Sequence, residues 1–168
     1  MVLVFQFGSN LSQERLNSAQ RLNGTACLVD TAWTVDDYEL EFTVWSKSNG
    51  CAAANLAGGK GRKIWGVLYE IPEERVFREK KQPGNRCLDQ VEGEGSNYKR
   101  QTIKVRRSSG EVVEAYTYLA LNPRTDIKTY AEYVSHIIKG MKEHGAPPEY
   151  IEYVRERINE NNPAWKGH

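Results

Sequence analysis

FQFGSNLSQERL, residues 5–16, joins two kinds of local structure with nothing between them but three small polar residues. The apolar run from Val2 to Phe7 reads as a short buried strand. It stops at Gly8-Ser9-Asn10, residues that favour turns, and a helix-like pattern starts at once. Ser12 is placed to cap a helix running to about Gln20, although Glu14 and Arg15 fit a capping box poorly. A small-residue loop before a helix leaves backbone N–H groups bare, next to the partial positive charge of the helix start. Such a loop can cradle a carboxylate or an oxyanion. From spacing alone, an ordinary strand-to-helix turn is the simpler account.

Working outward, the stretch 38–45, YELEFTVW, alternates. Tyr38, Leu40, Phe42 and Val44 share one face, as expected of a half-buried strand. Residues 46–63 read as a loop-rich segment around one small-residue stretch. The near-continuous apolar run 64–71, IWGVLYEI, predicts a central strand. Pro72 opens a charged, helix-like stretch to about Lys81, which Gln82-Pro83-Gly84-Asn85 ends. A short helix within 86–97 is closed by Gly93 and Gly95, and two strands, 98–106 and 112–121, form a hairpin across a Ser-Ser-Gly turn. Ile127, Tyr130, Val134, Ile137, Ile138 and Met141 keep helical spacing. Gly145 ends that helix, Pro147 opens the next, and Ile151, Val154 and Ile158 give the last helix one apolar stripe. Strands crowd the first two-thirds and helices the end, so the class is α+β. Neither a repeat nor a linker divides the chain.

The 168 residues have the size of one domain, and 39% hydrophobic with 27% charged residues fits a globular protein. Lys and Arg number 23 against 22 Asp and Glu, a net charge of +1. That balance offers no electrostatic case for nucleic acid or an anionic membrane as partner. No run approaches the roughly 18 apolar residues of a membrane span, and Met1 leads straight into a strand without a signal-like segment. Cys27, Cys51 and Cys87 are odd in number and far apart, which suits buried or inert thiols in a cytoplasmic protein. His136, His144 and His168 form no ligand spacing with them, so no metal site is expected.

Two stretches invite a chemical reading. GGKGR, 58–62, fails as a phosphate loop, because Ala54 and Gly61 stand where that motif needs Gly and Ser or Thr. A flexible hairpin loop accounts for it. Glu92 follows the apolar Leu88 and Val91 and precedes Gly93. A carboxylate at the end of a partly buried helix can have a raised pKa and serve as acid and base. Tyr98, Tyr118 and Tyr133 read by default as core or surface aromatics.

Five blocks in order resemble the γ-glutamylcyclotransferase family, of AIG2-like fold. They are FQFGSNL (5–11), IWGVLYEIPEE (64–74), LDQVEG (88–93), YTYLAL (116–121) and YVSHIIKGMKEHGAPPEY (133–150). The resemblance implies one domain over 1–168, a small closed mixed β-barrel with surrounding helices. It implies an enzyme that cyclises a γ-glutamyl group to 5-oxoproline and releases an amine, with no metal and no cofactor. Glu92 falls on the family's catalytic glutamate, with Glu94 as runner-up. Phe7, Gly8, Ser9, Asn10 and Leu11 fall on the substrate loop, and Tyr98, Tyr118 and Tyr133 on pocket tyrosines, with Tyr130 as runner-up to Tyr133. The implied partner is a small-molecule γ-glutamyl substrate; monomer and homodimer both stay open. Gly-Ser-Asn resembles the branch acting on γ-glutamyl amino acids or related amides. Phe7 departs from the usual Tyr, and 75–87 is longer and more basic than usual. The longer segment motivates a second reading, removal of a γ-glutamyl cap from a larger metabolite. A third is a catalytically silent binding module on the same barrel.

Overall fold

The computed structural model describes residues 1–165; His168 lies outside the described residues. Seven strands and four helices follow in the order β1 (Val2–Gln6), α1 (Gln13–Leu16), β2 (Cys27–Thr34), β3 (Tyr38–Ser46), β4 (Cys51–Gly58), β5 (Trp65–Ile71), α2 (Leu88–Glu92), β6 (Tyr98–Arg107), β7 (Val112–Ala120), α3 (Ala131–Glu143) and α4 (Pro148–Asn161). Five strands close a barrel in the order β1-β5-β2-β6-β7. The barrel is mixed: β1 meets β7 in parallel at Val4 and Tyr116, and the other neighbours are antiparallel. The fold is the small closed α+β barrel that the five blocks imply.

The apolar run of β5 is explained by its position. It pairs with β1 on one side and β2 on the other, and all of it but Glu70 is buried. A strand covered on both faces needs no polar alternation. β3 and β4 form a separate two-stranded sheet against the barrel. Asn55 of β4, itself buried, ties it there by accepting a hydrogen bond from the Ala120 N–H at 2.8 Å.

Several local expectations change. The stretch 51–58, read as loop-rich, is strand β4: alanine is a weak strand former, but pairing with β3 from Tyr38–Gly58 to Ser46–Cys51 imposes the conformation. β2 has no counterpart in the sequence reading, because a register shift between Leu28 and Asp30 breaks its alternation. The stretch 72–81 is not a helix but two 3₁₀ turns, Glu73–Arg75 and Arg78–Lys80. Val76 and Phe77 between them are both buried, and Phe77 takes an extended backbone conformation that separates the two turns. α1 stops at Leu16, well before Gln20, although Ser12 does cap it by accepting from the Arg15 N–H at 3.3 Å. Ile127 and Tyr130 precede α3 rather than belonging to it. Cys51 and Cys87 are buried and Cys27 is exposed. Among the described residues, no helix is long and apolar enough to cross a membrane.

Candidate active site

Phe7 ends the first strand region, and Ser9–Leu11 make one 3₁₀ turn before α1. The turn is seated against α3 at Gly140. A Cβ there would lie 2.5 Å from Leu11 Cβ and 2.6 Å from the Leu11 carbonyl carbon, so only glycine lets helix and loop approach this closely. The Leu11 carbonyl is held from two more sides. It accepts from His144 Nε2 at 3.0 Å and from the Tyr69 hydroxyl at 3.4 Å. The loop is therefore fixed by barrel and helix together.

Glu92 is the last residue of α2, and Gly93 closes the helix in the left-handed conformation at φ +68°. The residue as a whole is half-buried, yet its carboxyl group is enclosed by protein. Asn10 Nδ2 donates to Glu92 Oε1 at 2.7 Å, and Asn10 Oδ1 accepts from Arg21 Nη1 at 3.2 Å. The two bonds fix the orientation of the Asn10 amide. Burial pushes the Glu92 carboxyl above the usual range, while the charges of Arg21 and Arg15 and the Asn10 bond pull it back.

β4 supplies the wall opposite. It is an edge strand, and at Ala54 both outward backbone groups are paired by tyrosines. Tyr133 of α3 accepts from the Ala54 N–H at 3.0 Å, and Tyr98 of β6 donates to the Ala54 carbonyl at 2.7 Å. Tyr118 of β7 donates to Asp89 Oδ1 at 2.6 Å. Asp89, 1% exposed, is balanced by the Arg100 guanidinium and by the Arg78 N–H at 3.0 Å. A carboxylate so deeply buried persists only with such partners. Burial pushes all three phenols up, Tyr133 to about 12.

These groups surround an inner cavity of about 30 Å³, lined by Gln6 to Asn10, Ala54, Glu92, Thr117 and the three tyrosines. It adjoins an outer pocket of about 250 Å³ through the shared wall Ser9, Glu92, Tyr98 and Tyr133. Of the residues singled out from sequence, Phe7, Gly8, Ser9, Asn10, Glu92, Tyr98, Tyr118 and Tyr133 all line the inner cavity. Leu11 does not: it is fully buried, and its N–H is committed to the Gly8 carbonyl at 3.0 Å. Glu94 lines neither space and faces Arg78 at 3.4 Å; Tyr130 is 55% exposed. Gly8 has φ −108°, so close approach and not a positive φ explains it. An added Cβ would lie 3.3 Å from Ala54 Cβ and 3.7 Å from the Tyr133 hydroxyl.

Two participants escaped sequence reasoning. Gln6 is 7% exposed, lines the inner cavity, and leaves its Nε2 without a partner among the described residues. A buried polar residue in an otherwise apolar strand was the available signal. Arg21 sits in a stretch without periodicity, and nothing local marked it.

The direction of each hydrogen bond sorts the cavity lining. A carbonyl and a carboxylate can only accept, so Tyr98 and Tyr118 have committed their protons and keep only accepting capacity. Tyr133 accepts from Ala54 and keeps its proton. The N–H groups of Ser9 and Asn10 have no partner among the described residues, and Gln6 Nε2 adds another donor. The lining therefore holds both acceptors and donors. Among the described residues, no grouping of three or more His, Cys, Asp or Glu could hold a metal ion.

The profile of the AIG2-like family matches residues 63–154, more than half of the chain. The chain belongs to this family. The match begins just before β5 and takes in Glu92, Tyr98, Tyr118 and Tyr133. Solved structures extend the likeness over nearly the whole chain. A γ-glutamyl cyclotransferase is 25% identical, with a TM-score of 0.79 over 98% of this chain and 92% of that one. A human protein solved as uncharacterized is 26% identical, with a TM-score of 0.77 over 99% of this chain and 92% of that one. YkqA from Bacillus subtilis, 22% identical over 95% of this chain and 55% of that one, shares the fold at a TM-score of 0.76. No curated protein sequence matches the chain.

Proposed function

We propose that the chain is a γ-glutamylcyclotransferase-like enzyme that converts γ-glutamyl amino acids or amides to 5-oxoproline and a free amine. The observation that carries this reading is the enclosed Glu92 carboxylate, held by Asn10 of the Gly-Ser-Asn loop in a cavity lined by both acceptors and donors. A γ-glutamyl head has the complementary pattern, an α-ammonium that donates and an α-carboxylate and γ-carbonyl that accept. The likeness to the solved γ-glutamyl cyclotransferase supports it further.

The chemistry needs one proton carrier. The bound α-ammonium first gives up one proton to solvent; Glu92 then takes a second from the resulting amine as its lone pair forms the new bond to the γ-carbonyl carbon. The resulting oxyanion is met by the Ser9 and Asn10 N–H groups, a scheme worth about 3–4 kcal/mol per donor in other acyl transfers. Collapse restores the carbonyl and breaks the original C–N bond, and Glu92 returns its proton to the leaving nitrogen. A carboxyl lifted towards neutrality by burial suits both steps. The lone pairs of Tyr98 and Tyr118 hold the amine, while Gln6 and Tyr133 hold the anionic end. Because the attack is intramolecular, the main task of the cavity is to keep the substrate folded back on itself.

The test is 5-oxoproline release from a panel of γ-glutamyl dipeptides and γ-glutamyl amides by the purified protein. Release from any of them supports the reading. Binding without release at any pH from 6 to 9 points instead to a silent binding module.

A further inference from the structure

Some cations of this chain lie beside carboxylates: Arg78, Arg100, Arg107, Arg124 and Arg157 each have an acid within ion-pair distance, as do Lys63, Lys80 and Lys139. The outer pocket gathers cations that have none around a single carboxylate. Arg21, Lys47 and Arg86 line it without any carboxylate within ion-pair distance among the described residues, and Glu92 is the one acid in its wall. Arg15 stands near enough that its charge, after burial, is the next cause lowering the Arg21 pKa.

Arg21 and Arg86 are held in place. Arg21 is half-buried and uses Nη1 on Asn10 Oδ1, leaving further N–H groups of its fork for a ligand. Arg86 Nη1 donates to the Gln20 carbonyl at 3.0 Å. The buried Arg75 donates to the Arg86 carbonyl at 3.0 Å and so pins the backbone that carries it. Arg75 and Arg86 bound the long basic segment 75–87, which the function proposed above leaves unexplained.

The reaction dictates what reaches this pocket. The leaving nitrogen must touch Glu92 to receive its proton, and Glu92 is part of the outer wall. In an amino acid leaving group, the carboxylate is only two bonds from that nitrogen. We propose that the outer pocket reads the leaving group by its carboxylate, with Arg21 and Arg86 as specificity-determining residues and Lys47 adding to the field. Amino acids and peptides are then released in preference to simple amines. The inference rests on the cyclotransferase reading.

The test compares γ-glutamyl-alanine with γ-glutamyl-ethylamide, which differ by that carboxylate alone, in the wild type and in R86Q. Wild type should show at least about tenfold higher kcat/KM for γ-glutamyl-alanine, the scale of one charge-assisted hydrogen bond. R86Q should reduce this ratio at least threefold, through KM for γ-glutamyl-alanine. Raising the salt concentration should erode the ratio further, because exposed charges are screened. Equal kcat/KM for the two compounds, or a ratio that R86Q leaves unmoved, overturns the inference while the cyclotransferase reading stands. If neither compound yields 5-oxoproline and none of the wider γ-glutamyl panel does, that reading falls instead. Titration calorimetry of the same two compounds then decides the pocket's preference: tighter binding of γ-glutamyl-alanine supports it, and equal binding overturns it.

Discussion

Replacing Glu92 by glutamine removes a proton carrier and a buried negative charge in one step, while keeping the Oε1 that accepts from Asn10 at 2.7 Å. The two consequences have opposite signs. Without a carboxyl to accept and return the proton, turnover should fall roughly 10²- to 10⁴-fold, or about 3–5 kcal/mol in barrier height. Stability should move the other way. Burial raises the folded-state pKa of Glu92 above its unfolded value, so between those two values the folded state holds a proton that the unfolded state has lost. Stability therefore declines as pH rises through that window, and it stays lower above the raised pKa. The amide does not ionise and escapes this penalty, which is about 1.4 kcal/mol for each unit of elevation. E92Q should thus melt at or above the wild-type temperature at pH 8, and the difference should vanish below about pH 4, where both states of the wild type are protonated. Melting curves at these two pH values, with a 5-oxoproline assay at the upper one, test both halves. A well-folded E92Q with wild-type turnover would refute the assignment of the proton carrier. An E92Q less stable than wild type at pH 8 would refute the claim that this carboxylate is held against a burial penalty.

Further outcomes follow from the same geometry. G8A should lower kcat/KM roughly 10²-fold, because the new methyl presses on Ala54, whose backbone holds the Tyr98 and Tyr133 hydroxyls, and S9A should lower it much less; equal small kinetic effects with a large drop in melting temperature for G8A would reduce the loop to a plain turn. G140A drives a methyl into the backbone of Leu11 and Ser12, so overpacking should cost about 1–3 kcal/mol, seen as a melting temperature roughly 3–10 °C lower. Q6L removes an unpaired buried donor, so the protein should be no less stable while KM for γ-glutamyl-alanine rises several-fold; an unchanged KM would remove Gln6 from the binding scheme. EDTA should leave the rate unchanged, and activity lost to chelation and restored by zinc or manganese would show a misread site.

The parts of the fold that were legible in the sequence are those where one physical signal dominates. The continuous apolar run of β5 and the alternation of β3 each have one reading. Glycine marks the ends of α2 and α3 for the same reason, since a left-handed residue follows each helix. What stayed illegible depends on partners distant in sequence. β4 is a strand because β3 pairs with it and because Asn55 is anchored to Ala120 across the barrel, not because of its own alanines. Phe77, buried in the core, breaks a helix-like stretch with an extended backbone. In the site, the Gly-Ser-Asn loop, Glu92 and the tyrosines were named through resemblance in ordered blocks, whereas composition and spacing left each with a bland reading. Arg21 and Gln6 gain meaning only once the chain brings their unpaired groups to the cavities.

Asn10 also changes what the opening loop means. The loop reads from sequence as a cradle of backbone donors, with its side chains incidental. In the fold, the N–H groups of Ser9 and Asn10 have no partner among the described residues, while the Asn10 side chain is committed to Glu92 on one side and Arg21 on the other. An aspartate could not do the same, because it lacks the donor that holds Oε1, and a leucine would leave a buried carboxylate and a half-buried guanidinium without their link. The amide thus couples the cation at the mouth to the base at the wall: Arg21 fixes which end of Asn10 faces Glu92, and that end lowers the cost of keeping Glu92 charged. The loop that would stabilise the developing oxyanion is for this reason also the loop that keeps the base in the form able to start the reaction.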